Sequence, residues 1–161
     1  MPQTPPTRYR ERLWPSFAVW AGTVFVLVMI DVAVGAGLGI TTGVVFSLLT
    51  ALTAVTWLVS ASPTLEVTDT EFRAGRAHLP LRFVDNIEVL DSASARLATG
   101  RDADARTFLV TRGWVTRAVR FTITDPDDPT PDWIVSTRRG PKLAQALEAA
   151  RRDDSTQSAA G

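Results

Sequence analysis

The chain has no cysteine, one histidine and one lysine, and each scarcity removes a class of chemistry. Without a thiol there is no disulfide, no Cys-ligated zinc, no iron–sulfur cluster and no cysteine nucleophile. His78 alone cannot build a multi-histidine metal site or pass a proton to a second imidazole, and beside Leu79-Pro80 it reads as a residue flanking a strand. The 17 basic residues, all Arg but Lys142, balance 17 acids, so there is no surplus of positive charge for a nucleic acid. A Gly-x-Ser-x-Gly elbow and a Walker loop are both missing. Gly35-Ala36-Gly37-Leu38-Gly39 has the wrong spacing for a dinucleotide fingerprint and follows no soluble strand. The chain is therefore read as a non-enzyme that uses no cofactor.

Charge is also scarce locally. Residues 13–61 hold a single ionisable side chain, Asp31. A helix rises ~1.5 Å per residue and a bilayer core is ~30 Å thick, so this tract is too long for one crossing and suits two. The expected architecture is a transmembrane hairpin of two helices over 13–61, with spans at 14–34 and 40–59. Gly35, Gly37 and Gly39 make the bend. A disordered, basic segment (1–12) precedes it, a β-rich α+β domain (62–152) follows, and a polar, disordered tail (153–161) ends the chain.

The bend carries no Lys or Arg, whereas Arg8, Arg10 and Arg12 precede the first span and Arg73, Arg76 and Arg82 follow the second. The positive-inside rule then puts both the N-terminus and the C-terminal domain in the cytoplasm, with the chain multi-pass in the inner membrane. Arg8, Tyr9, Arg10, Arg12, Trp14 and Trp57 are the expected membrane-interface anchors. A cleaved signal peptide is disfavoured because the apolar pattern resumes at once.

From Thr64 the period changes to two, as in Leu65-Glu66-Val67, Ile87-Glu88-Val89 and Val119-Arg120-Phe121-Thr122-Ile123-Thr124. Turn signals at Ala74-Gly75-Arg76 and along residues 125–131 divide six or seven short strands. A short helix and a loop are expected between Asp91 and Arg106. A closing helix is expected from Gly140-Pro141 through Arg152, with Leu143 and Leu147 on one face.

Several segments in order, Tyr9-Arg10-Glu11-Arg12-Leu13-Trp14, Arg73-Ala74-Gly75-Arg76, Leu79-Pro80-Leu81-Arg82-Phe83-Val84, Thr124-Asp125-Pro126 and Trp133-Ile134-Val135-Ser136-Thr137-Arg138-Arg139, resemble an uncharacterised family of small actinobacterial membrane proteins labelled a domain of unknown function. The resemblance spans roughly residues 8 to 150 and departs at Asp132, where an aromatic is expected. It implies no activity. The order of strands, the Leu79-Pro80-Leu81 step and the terminal helix are also similar to bacterial pleckstrin-homology-like domains, which implies a bent antiparallel sheet or split barrel plugged by its last helix.

Four groups of residues are candidate sites. Asp31, near the outer end of the first span, reads as a hydrated or interfacial acid, with helix pairing or ion transport as the alternatives. Gly35, Gly39 and Gly43, four apart, allow close helix approach within the hairpin or between copies in a homo-oligomer. Asp125, Asp127, Asp128 and Asp132 lack the glycine and the terminal Glu of an EF-hand loop and read as a solvated turn, not a metal site. Arg112, Trp114, Arg117 and Arg120 combine a ring with guanidinium groups, a pattern suited to anionic lipid headgroups or a protein partner when it does not simply pack the core. The resulting expectation is a membrane-tethered binding or scaffold module on a lipid bilayer. The alternative is a small transport or channel component built on the hairpin and Asp31.

Overall fold

The computed structural model describes residues 6–101 and 103–159. It divides into two compact units, one formed by the segment up to Leu13 together with the chain from Thr64 onward, the other by Trp14–Pro63.

The second unit is two helices, α1 (Phe17–Leu38) and α2 (Ile40–Ser60), each long and apolar enough to cross a membrane. Ser16 caps α1, its hydroxyl accepting the Val19 amide at 3.4 Å. The bend is tighter than the three glycines suggest. Only Gly39 leaves the helical region, with φ 91° and ψ 158°, a conformation that glycine adopts without a Cβ penalty. Gly35 and Gly37 stay helical, so α1 runs to Leu38 rather than stopping at residue 34. Glycine has a second use at the crossing, where a Cβ on Gly43 would lie 2.9 Å from the Gly35 Cα. Five hydroxyls inside the apolar helices find acceptors on their own helix, with Thr23, Thr50, Thr53, Thr56 and Ser60 each donating to the carbonyl four residues back.

Among the described residues the first unit holds eight strands in two sheets. One runs β1 (Tyr9–Arg12), β2 (Thr64–Val67), β3 (Glu71–Ala74) and β4 (Ala77–Pro80), neighbours in that order and all antiparallel. After a 3-10 turn at Leu81–Phe83, the second sheet comprises β5 (Val84–Leu90), β6 (Phe108–Val110), β7 (Ala118–Ile123) and β8 (Asp132–Ser136), in the spatial order β5-β7-β8-β6. β6 lies parallel to β8, so this sheet is not wholly antiparallel as expected. The reason is that α3 (Ser92–Thr99) and its loop carry the chain from β5 to the far edge of the sheet before β7 returns.

Strand β1 corrects the reading of residues 1–12 as a disordered segment, of which 1–5 lie outside the described residues. Tyr9 pairs with Val67 and Arg12 with Thr64. Tyr9 and Glu11 are buried while Arg10 and Arg12 are exposed, the period-two alternation of a half-buried strand. The tail is corrected as well, because the last helix, α4, runs Gly140–Ala159 without a break at Arg152. Arg8 ties its end to the sheet through Asp153 at 2.7 Å, and the Thr156 hydroxyl donates back to the Arg152 carbonyl at 2.8 Å.

Leu143, Leu147 and Ala150 of α4 are fully buried against both sheets. The core centres on aromatic rings: Phe72 meets Phe121 edge-on at 5.5 Å and Trp133 lies 6.0 Å from Phe121, while the exposed Phe108 ring leans on Trp133 at 4.4 Å.

Candidate functional site

The connection from β6 to β7 carries three of the four residues of the basic cluster. The Arg112 amide donates to the Ser136 hydroxyl at 3.2 Å, and its guanidinium to the Thr111 carbonyl at 2.7 Å. The Thr137 amide donates to the Arg117 carbonyl at 3.1 Å, which fixes the start of β7, while the Arg117 side chain is exposed. Trp114 is half-buried on the main core and its indole N–H donates to the Leu13 carbonyl at 3.2 Å. It is thus a packing residue and at the same time a contact to the last residue before the chain leaves this unit.

Arg120 does not join them. It projects from β7 beside β8, where its guanidinium meets Asp132 at 2.6 Å and Thr122 donates to the other carboxylate oxygen at 3.1 Å. The bond to the Asp132 carboxylate raises the Arg120 pKa. Asp132, where an aromatic was expected, is therefore half of an ion pair. Arg96 of α3 takes the vacated place, lining with Arg112 and Arg117 a depression of about 200 Å³ whose floor includes Val115 and Ala118. A neighbouring depression of about 330 Å³ is lined by Ser92, Trp114, Arg117 and Arg138. Asp91 caps α3, its carboxylate accepting the Ser94 amide at 2.8 Å. That bond, helped by the charge of Arg117, lowers its pKa.

Sequence reasoning missed a second polar centre. The buried Glu11 carboxylate accepts the Tyr9 hydroxyl at 2.6 Å, the Thr137 hydroxyl at 2.5 Å and the Arg138 amide at 3.0 Å. Burial, then the bond to Glu11, pushes the Tyr9 hydroxyl well above its ordinary pKa. Two expected membrane anchors are therefore engaged within the β unit. Tyr9 is a core ring, and Arg8 is ion-paired to Asp69 and Asp153. Arg10 and Arg12 stay on the exposed face of β1. In the helical unit Trp14 and Trp57 present much of their surface.

Asp31 neither caps the bend nor sits at a helix end. It lies in the interior of α1, with Oδ1 shielded and without a hydrogen-bond partner. In the acidic loop Asp125 accepts the Asp127 amide at 3.1 Å and Asp128 the Thr130 amide at 2.9 Å, both turn contacts. Among the described residues no three His, Asp or Glu side chains converge to hold a metal.

A family model described as Protein of unknown function (DUF3093) matches residues 8–147. The chain belongs to this family. The DUF3093 match begins at the residue before β1 and ends within α4, so it takes in the Glu11 centre, both apolar helices and the arginine-lined depression. No curated protein and no solved structure matches the chain.

Proposed function

We propose that this protein is a two-span inner-membrane protein that acts as a non-enzymatic, membrane-tethered binding module. Its N-terminus and β unit lie in the cytoplasm. One observation carries the reading: the chain leaves the β unit at Leu13 and returns at Thr64, beside the paired residues Arg12 and Thr64, and Trp114 hydrogen-bonds to Leu13 at that same end. With α1 and α2 in a bilayer, the connections after Leu13 and before Thr64 tether the β unit to the membrane. Trp114 and Arg117 are then suited to the anionic surface by ring and charge. The Arg-poor bend and the Arg-rich flanks support the cytoplasmic orientation. The two sheets and closing helix support a likeness to pleckstrin-homology-like domains, with the parallel β6–β8 pair as a departure.

The test is alkaline carbonate extraction of membranes, together with a reporter fused after Gly161. Retention in the pellet with a cytoplasmic reporter is expected. Release into the supernatant, or a reporter active outside the cell, overturns the proposal.

A second reading, a small transport component, draws on Asp31, whose shielded oxygen finds no donor in its own hairpin. It requires proton or ion flux in proteoliposomes that Asp31→Asn abolishes, and equal flux in both proteins eliminates it.

A further inference from the structure

We propose that the depression walled by Arg96, Arg112 and Arg117 is a phosphate-binding pocket that takes the headgroup of an anionic phospholipid. The depression gathers arginine side chains without an acid in its lining. Elsewhere in the β unit Arg8, Arg73, Arg106, Arg120, Arg151 and Arg152 each meet a carboxylate. Among the described residues neither Arg96 nor Arg117 has an ion-pair partner, and the walls of the pocket contain no Asp or Glu. Asp91 is close enough for its charge and that of Arg117 to attract, but the two form no ion pair, and Asp91 Oδ1 accepts the Ser94 amide.

The three guanidinium groups arrive from α3, from the connection after β6 and from the approach to β7, so one concavity gathers cations from separate elements. Thr111 and Thr116 also line the depression, together with the buried Val115 and Ala118. Guanidinium forks match phosphate oxygens in pairs, which a single ammonium cannot do. Three arginines around one depression, with no acid in its lining, make a local concentration of positive charge on a chain of zero net charge. The lipid source rests on the proposed membrane tether, whereas the phosphate chemistry stands on the pocket alone.

The experiment is calorimetric titration of the full chain in neutral detergent micelles with dihexanoyl phosphatidic acid, dihexanoyl phosphatidylcholine and inorganic phosphate. Phosphatidic acid is expected to bind saturably and phosphatidylcholine not at all. Arg96→Gln and Arg117→Gln should each weaken phosphatidic acid binding roughly tenfold, and Arg10→Gln on the exposed face of β1 should leave it unchanged. Equal affinity for inorganic phosphate overturns the lipid source. No binding, or the same loss in Arg10→Gln, overturns the pocket. If a Gln variant does not fold, the Nε–H resonances of Arg96 and Arg117 in the unmodified protein must shift on saturation with phosphatidic acid, and unshifted resonances overturn the assignment. Micelle binding needs no bilayer topology, so its failure is separable from failure of the extraction and reporter test.

Discussion

The carboxylate of Glu11 accepts the hydroxyl of Thr137, 126 positions further along the chain, at 2.5 Å. One acid on the first strand thereby fastens that strand to the junction between β8 and α4, with Tyr9 and the Arg138 amide completing its shell. Glu11→Ala leaves two hydroxyls and an amide without their acceptor in a buried place, and should destabilise the β unit by about 2–4 kcal/mol. Thr137→Val removes one donor and should cost about 1 kcal/mol. Denaturant unfolding followed by near-UV circular dichroism measures both, and a Glu11→Ala protein as stable as the parent contradicts the role.

Tyr9 is the sole tyrosine, so tyrosinate absorbance reports one site. Its hydroxyl pKa is raised in the folded state. A raised folded value means that the stability from the neutral hydroxyl is complete below the unfolded pKa of about 10 and declines as pH climbs from there toward the folded value. Tyrosinate should therefore stay undetected through pH 10 in the native protein and develop together with unfolding. Tyr9→Phe should remove that component of alkaline destabilisation. A tyrosinate transition at the ordinary pKa, with the fold intact, rules this out.

At the helix crossing, Gly43→Val must push α2 away from α1, since even a Cβ would meet the Gly35 Cα at 2.9 Å. A loss of about 1–3 kcal/mol is expected on overpacking grounds. Gly37→Ala meets nothing within 4 Å and serves as the matched control. Stepwise denaturation in mixed micelles, read by far-UV circular dichroism, should separate the two variants, and equal midpoints argue against a packed crossing.

For Trp114 the ring and its N–H have different work. Trp114→Phe keeps an aromatic on the core but loses the bond to the Leu13 carbonyl, so a modest loss of about 1 kcal/mol is expected. Trp114→Ala should cost about 3 kcal/mol because packing goes too. Equal losses in the two variants would assign the effect to the hydrogen bond alone.

How legible each part was in the sequence depended on whether a side chain obeyed the usual partition between core and solvent. β7 was readable because Val119, Phe121 and Ile123 alternate with Arg120 and Thr122. β1 has the same period, but one of its two inward residues is Glu11, and an acid flanked by arginines reads as solvated until a buried set of donors is seen around it. Arg120 was grouped with Arg112 and Arg117 by proximity in sequence. Asp132, across the β7–β8 pair, draws it elsewhere. Arg96 joined the cluster from α3, and no local pattern signals that approach. The helical hairpin was plain from its lack of charge, yet its bend was overestimated because three glycines are permitted to turn and only Gly39 does.

β1 and β2 are hydrogen-bonded neighbours, but the whole of Trp14–Pro63 separates them in the chain. During synthesis, the first strand therefore emerges long before its mate and must wait, unpaired, until both apolar helices have left the ribosome. Closure of the sheet comes after synthesis of the helices, so β1 can take its place beside β2 only once residues 14–63 have been made.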